Sequence, residues 1–156
     1  MTDQDFMALA IIEAKQAVLR GEVPVGALLV KEGEVIASGS NAVIGLHDPT
    51  AHAEMLALRA AGQVLQNYRL PDCKLYVTLE PCAMCAAAMI HARISHVIYG
   101  ASDPKTGAAG GLLNVFETTF NHQTTVQGGV MAEECGALLK DFFKGKREAA
   151  KAPAKG

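Results

Sequence analysis

Apolar side chains at Phe6, Leu9, Ala10, Ala14, Ala17 and Val18 recur at helical intervals, so residues 3–20 predict an amphipathic helix that Gly21 ends. The period then changes. Residues 25–31 and 35–40 flank Glu32-Gly33-Glu34, the pattern of a β-hairpin. Met55, Leu58, Gly62 and Leu65 return to helical spacing, with Thr50 the expected N-cap. Residues 74–79 predict a strand, and Pro81 suits the first position of a second helix, where its missing N–H is no loss. Beyond it the pattern predicts a short strand at 96–99 and a glycine-rich loop at 102–111. A short helix at 112–116, a last strand at 124–127 and a closing helix from 132 to about 144 complete the chain. The connection before the last strand has room for a helical crossover, so the last two strands could be parallel. The expected fold is α/β, one sheet covered by helices on both faces. No internal repeat is present.

Composition bounds this picture. With 156 residues and 50% hydrophobic content, the chain suits one domain with a substantial core. No run approaches the roughly eighteen apolar residues of a membrane span. Asp3, Asp5 and Glu13 sit where a secretory signal avoids acids, so a reducing cytoplasm is the expected compartment. The net charge of −2 hides an asymmetry: residues 144–156 hold five basic side chains and one acid, against nine basic and fifteen acidic in the rest. The expected organisation is therefore a domain over 1–143 and a basic extension over 144–156. That extension either pairs with phosphates, making binding salt-dependent, or is a solvated terminus.

The chemistry concentrates in His52-Ala53-Glu54 and Pro81-Cys82-Ala83-Met84-Cys85. His52, Cys82 and Cys85 are three zinc ligands by type, and three is the number a catalytic site uses when it leaves a position to water or substrate. Cys82 and Cys85 are expected on one face of a helical first turn, and His52 and Glu54 in the first turn of another. Two helix N-termini then converge on the metal, favouring thiolates over thiols. Two thiolates formally cancel the ion's charge, so its water is acidified less than at an all-histidine site and a base must help. Glu54 is assigned that role. A redox dithiol or structural zinc clip is the bland reading of Cys-x-x-Cys, but the first needs no upstream His-Ala-Glu and the second needs a fourth ligand such as Cys73 or Cys135.

The H-x-E and P-C-x-x-C spacing resembles the signature of zinc nucleobase deaminases. Four longer blocks narrow the resemblance: residues 49–54, Asn67-Tyr68-Arg69-Leu70, residues 75–82, and Asp103-Pro104-Lys105-Thr106-Gly107. Together with Phe120-Asn121-His122, they look like the bacterial tRNA-specific adenosine deaminases of the cytidine deaminase-like superfamily, from about residue 5 to 147. The resemblance implies a three-layer α/β/α sandwich around one mixed five-stranded sheet, a homodimer, and one zinc ion per chain. It also implies hydrolytic conversion of adenosine to inosine at the wobble position of the tRNA anticodon, by attack of zinc-activated water at C6 while Glu54 carries protons. The base must be splayed from the anticodon loop, which is easier for an unpaired nucleotide.

Asn41 matches the family's base-contacting asparagine, and Asp103, Lys105 and Asn121 match positions that line its RNA groove. On local chemistry alone, Asn41 is a turn residue and Asp103 before Pro104 is turn chemistry. Ala42, Val43, Leu46 and Gln123 depart from the family, standing where basic residues are common, so fewer cationic contacts to tRNA are expected. The alternative function is deamination of a free base or nucleotide such as cytosine, guanine or deoxycytidylate. Gly107 to Gly111 lacks the Lys-Ser or Lys-Thr of a phosphate loop and reads as a flexible turn. His91 and His96 read as core-edge or surface residues, His47 as a candidate neighbour of the pocket, and Cys73 and Cys135 as small apolar core residues.

Overall fold

A computed structural model describes residues 1–117 and 121–151. Helix α1 spans Asp3–Leu19, capped by Thr2, whose hydroxyl accepts from the Asp5 N–H while the Asp5 carboxylate accepts from the Thr2 N–H. Strands β1 (Gly26–Lys31) and β2 (Glu34–Ser40) form the expected hairpin. Helix α2 (Ala53–Leu65), strand β3 (Cys73–Leu79), helix α3 (Ala83–His91), strand β4 (His96–Ala101), strand β5 (Thr125–Gln127) and helix α4 (Ala132–Lys151) follow.

The five strands form one sheet in the order β2-β1-β3-β4-β5. β1 is antiparallel to β2 and β3, while β3, β4 and β5 are mutually parallel, so the sheet is mixed. Alternating side chains enter two cores. Leu29, Leu75, Val77 and Val97 face α2 and α3 through Ala53, Ala57, Ala61, Ala86 and Met89. Leu28, Tyr76 and Ile98 face α1 and the start of α4 through Phe6, Met7, Ala10 and Cys135. This is the three-layer sandwich. Tyr76 ties the second core to its rim, its ring 5.1 Å from that of Phe6 and its hydroxyl donating to Asp3 at 2.6 Å.

Topology brings three strand ends to one edge. β2 runs in the same direction as β3 and β4, because each is antiparallel to β1 or parallel to a strand that is. The residues following them, Asn41, Glu80 with Cys82, and Asp103, therefore emerge together at the carboxyl edge, where open α/β sheets hold ligands. Helix α2 lies close on β2 at Gly39, where a Cβ would come within 2.6 Å of the Ala53 carbonyl oxygen.

Several boundaries differ from the sequence expectation. Thr50 does not cap α2: its N–H and hydroxyl both donate to Asp48, and the extended residue before the helix is His52. Pro81 lies one residue before the cap of α3, because Cys82 is itself extended. The expected helix at 112–116 is a single 3-10 turn, Val115–Glu117. Leu112 and Leu113 donate back to Gly107 O and Asn114 caps Phe116, which leaves no room for a longer helix. Helix α4 runs seven residues past Lys144 to Lys151, since Gly145 alone does not break it and Ala149 and Ala150 favour helix. Part of the basic extension is thus helical.

Candidate metal centre and active-site cavity

His52 and Cys82 occupy the N-cap positions of α2 and α3, both with extended backbones and neither using its side chain to cap. Their side chains are free to point across the gap between the two helix N-termini. Cys85 follows in the first turn of α3, buried. The His52 Nδ1 atom lies 3.6 Å from the Sγ of Cys82 and 3.6 Å from the Sγ of Cys85. Zinc bonds of about 2.3 Å to sulfur and about 2.0–2.1 Å to nitrogen, meeting at the tetrahedral angle, put nitrogen and sulfur roughly 3.5 Å apart. The donor atoms therefore fit a tetrahedral zinc ion. Among the described residues they are the one His/Cys/Asp/Glu group assembled for a metal.

The cysteines that could close a four-protein-ligand site lie elsewhere. Cys73 begins β3, at the opposite end of the strand from Cys82, with its Sγ against the Pro71 carbonyl. Cys135 is buried on the other face of the sheet, beside Gly100. Both pack as core residues, as expected.

The electrostatics of the cluster favour an anion on Cys82. A hydrogen bond from Cys85, then one from His52, outweighs burial and lowers the Cys82 thiol to about 4. Cys85, as the donor of that bond and buried itself, is pushed up. His52 is raised, chiefly by its bond with Cys82.

Glu54, in the first turn of α2, is 4% exposed. Burial pushes its carboxyl up to about 7, against the lowering effect of the adjacent backbone. It lines a small cavity of about 90 Å³ with Asn41, His52, Cys82, Asp103, Glu80, Thr106 and apolar walls at Val23, Val25 and Leu79. The buried Glu54 carboxyl thus shares one cavity with His52 and Cys82, two members of the candidate metal-ligand cluster.

Of the residues singled out from the sequence, Asn41 and Asp103 reach this cavity; Lys105 and Asn121 do not line it, and both are exposed. Asn41 is buried, and its Oδ1 accepts from the Ala53 N–H at 2.8 Å, satisfying a donor of the helix that Thr50 is expected to cap. Arg20 holds the Asn41 backbone in place, donating to its carbonyl oxygen at 3.1 Å and to Ser40 Oγ at 2.7 Å. Asp103 accepts from the N–H groups of Lys105 and Thr106 and from the Thr106 hydroxyl, so turn chemistry and cavity wall coincide in one residue. His47 is exposed and does not line the cavity. His91 and His96 are exposed, matching the surface reading. Phe120 lies outside the described residues.

Sequence reasoning misses two buried carboxylates. Glu22, 1% exposed, accepts from the N–H groups of Ile44 and Gly45 and pins the loop after Asn41. Glu80, 2% exposed, gathers the loop that holds Asp103. The signal available is Glu80 standing directly before Pro81-Cys82, but an acid gives no sign in sequence of being buried. Residues 107–111 are not the flexible turn that their glycines suggest: the N–H groups of Ala109 and Gly111 fasten them to Glu80.

Residues 1–101 match the model of the cytidine and deoxycytidylate deaminase zinc-binding region. The chain is 48% identical over 148 residues to the tRNA-specific adenosine deaminase of Haemophilus influenzae, covering 94% of this chain and 86% of that one. It is 47% identical over 154 residues to the same-named enzyme of Bacillus subtilis, covering 98% and 96%. The chain belongs to the tRNA-specific adenosine deaminases. Among solved structures, it superposes with TM-score 0.82 and 47% identity on one from a study of A-to-I editing by tRNA:A34 deaminases at the wobble position of transfer RNA. That match covers 86% of this chain and 99% of the other. Membership in the tRNA-specific adenosine deaminases agrees with the five-stranded mixed sheet and with the His/Cys/Cys cluster at its carboxyl edge.

Proposed function

We propose that this chain is a zinc hydrolase that converts adenosine to inosine at the wobble position of a tRNA anticodon. The observation that carries the reading is a cluster of three zinc-ligand side chains, with no fourth among the described residues, two of which, His52 and Cys82, line one cavity with the buried Glu54. His52, Cys82 and Cys85 hold one zinc ion per chain; when bound, it supplies the Lewis acidity that makes water nucleophilic near neutral pH. Glu54 is the proton carrier: its carboxylate takes one water proton and delivers it to the ring N1, which keeps it in inosine. It then takes the second from the oxygen newly bonded to C6 and delivers it to the amine, which departs as ammonia. The apolar walls at Val23, Val25 and Leu79 exclude bulk water around that transfer. Asn41 orients the base with the amide nitrogen that its bond to Ala53 leaves over. The small cavity admits the reacting edge of a flipped base, with the rest of the nucleotide outside.

The expected result is inosine in an anticodon stem-loop carrying a wobble adenosine, with little turnover of free adenosine or cytidine. Rapid deamination of a free nucleoside and none on the stem-loop would replace this reading with the free-base alternative.

The RNA path we infer continues from the cavity. Asp103 and Thr106 also border a groove of about 630 Å³ whose other walls are Lys105, Phe143, Lys146, Arg147 and Ala150. Cationic side chains beside an aromatic ring suit phosphates and a stacked base. The helical part of the basic extension thereby faces the loop that borders the catalytic cavity. Removing residues 144–156 is expected to weaken stem-loop binding and flatten its salt dependence, by roughly 0.7–0.9 in log–log slope for each phosphate those side chains neutralise. Equal slopes for the full and shortened chains, in a filter-binding titration, would make the extension a solvated terminus. Asn121 joins this path as an RNA-facing residue on family resemblance alone.

A homodimer is part of the same reading. Between α2 and α3 lies an outward groove of about 800 Å³ lined by Met55, Leu58, Leu70, Ala88 and Tyr68, the last 79% exposed, together with the polar Arg59, Gln63, Gln66, Asn67 and His91. A groove that mixes apolar and polar side chains in this way suits a second copy of the chain. Sedimentation of a single monomeric species at micromolar concentration would remove the dimer. None of the four cysteines is in a disulfide, the state a reducing cytoplasm maintains, and we place the enzyme there.

A further inference from the structure

We propose that Glu80 is a positioning residue for the reaction: its carboxylate fastens the 102–111 loop so that Asp103 and Thr106 form a fixed wall of the catalytic cavity. The proposal rests on the deaminase reading above. Glu80 leaves the carboxyl end of β3 two residues before Cys82, its own N–H donating to Ala101 O at 2.8 Å. Its Oε1 accepts from the Ser102 hydroxyl at 3.1 Å and the Asp103 N–H at 2.9 Å. Its Oε2 accepts from the N–H groups of Ala109 and Gly111, each at 2.8 Å. A carboxylate offers about four lone-pair sites, and four donors take them up. All four are uncharged, and three are backbone N–H groups that a loop of this shape would otherwise leave unpaired beside a buried wall.

That saturation separates the two glutamates of the cavity. Glu54 keeps acceptor capacity and carries protons; Glu80 has none to spare and serves as a fixed anchor. The loop is shaped to the carboxylate. A Cβ at Gly107 would stand 2.4 Å from the Glu80 carboxyl carbon, and one at Gly111 would stand 2.1 Å from Asp103 O and 2.8 Å from Glu80 Oε1. Loop and anchor can meet only with hydrogen at both positions.

Glutamine at position 80 keeps one acceptor oxygen and turns an NH₂ group toward N–H donors, so about half of the clasp becomes repulsive. Glu80→Gln is expected to keep its zinc and its β1 and β3 amide protection, and to lose protection at Asp103, Ala109 and Gly111 in hydrogen exchange. KM for the anticodon stem-loop should rise at least roughly tenfold, more than kcat falls. Gly111→Ala, which dislodges the loop without altering the anchor, should reproduce both changes and decides the matter if the first variant does not fold. Slow exchange at the three amides with an unchanged KM in either folded variant would overturn the proposal, even if the melting temperature drops. Wild-type protein that leaves the stem-loop unmodified would instead overturn the deaminase reading, while the exchange measurement still tests the clasp.

Discussion

Glu54→Gln is expected to fold, to retain about one zinc per chain, and to lose at least roughly a hundredfold in kcat on the anticodon stem-loop, the low end of general acid–base catalysis. The substitution keeps the shape of the side chain and removes its ability to exchange a proton. Burial already pushes the Glu54 carboxyl up to about 7, where giving and taking a proton at neutral pH costs little in either direction. A dication at the ligand cluster pulls the other way, so the working value reflects both. The fold should not suffer. A carboxyl whose folded value lies above its ordinary 4.5 destabilises the native state as pH rises from about 4.5 to about 7, and that cost stays constant above. Glutamine removes it, so metal-stripped Glu54→Gln should melt no earlier than metal-stripped wild type at about pH 8, by differential scanning fluorimetry. Full deamination in the variant would take Glu54 out of the mechanism.

The site is legible in the sequence where chemistry and spacing coincide. His52 and the Cys82–Cys85 pair announce themselves because soft ligands at those intervals have few other uses, and the structure brings them within bonding reach of one ion. The sheet is legible too, since period-2 runs bounded by turns mark strands, and the long connection before β5 leaves room for a parallel arrangement. The two helix starts at the metal centre fall later than propensity suggests, for a common reason. His52 and Cys82 sit at the caps themselves, so the ligands displace the residues that propensity would choose. The donor at the start of α2 is taken by Asn41, twelve residues upstream of Ala53, a contact that no local rule anticipates. Glu22 and Glu80 are illegible for a deeper reason: a surface acid and a buried anchor look alike in sequence, and only the folded loop around each supplies the N–H groups that offset the cost of burial.

These anchors also explain how the loops around the cavity are held in place. One face of the opening is the loop after Asn41, pinned by Glu22 and Arg20. Another is the loop after β4, pinned by Glu80. Both loops leave the sheet at strand ends whose positions are set by the core, so loop placement inherits the rigidity of β2, β3 and β4. A site fixed in this way binds its base in a preformed geometry, and the unpaired anticodon nucleotide supplies the necessary rearrangement.

Stripping the metal is expected to reduce deamination to the buffer background, and zinc returned at one equivalent per chain to restore it. Cys85→Ala should lose activity without such rescue, because Cys85 is buried in the first turn of α3 and no other cysteine can take its place. X-ray absorption on the loaded wild type should show two sulfur neighbours, one imidazole nitrogen and one light atom; three sulfurs would mean a closed structural site. Cys73 would have to supply that third sulfur from the far end of β3, or Cys135 from across the sheet, and either move would dismantle the core that places His52. Removal should also lower the melting temperature. An ion bound by the folded chain at about a hundred times its Kd stabilises by about 2.7 kcal/mol, less whatever the unfolded thiols recover. The two effects have separate origins, since stability follows the three ligand bonds whereas activity also needs the coordination position that protein leaves to solvent. Full competence after rigorous chelation, verified by elemental analysis, would overturn the metal's role altogether.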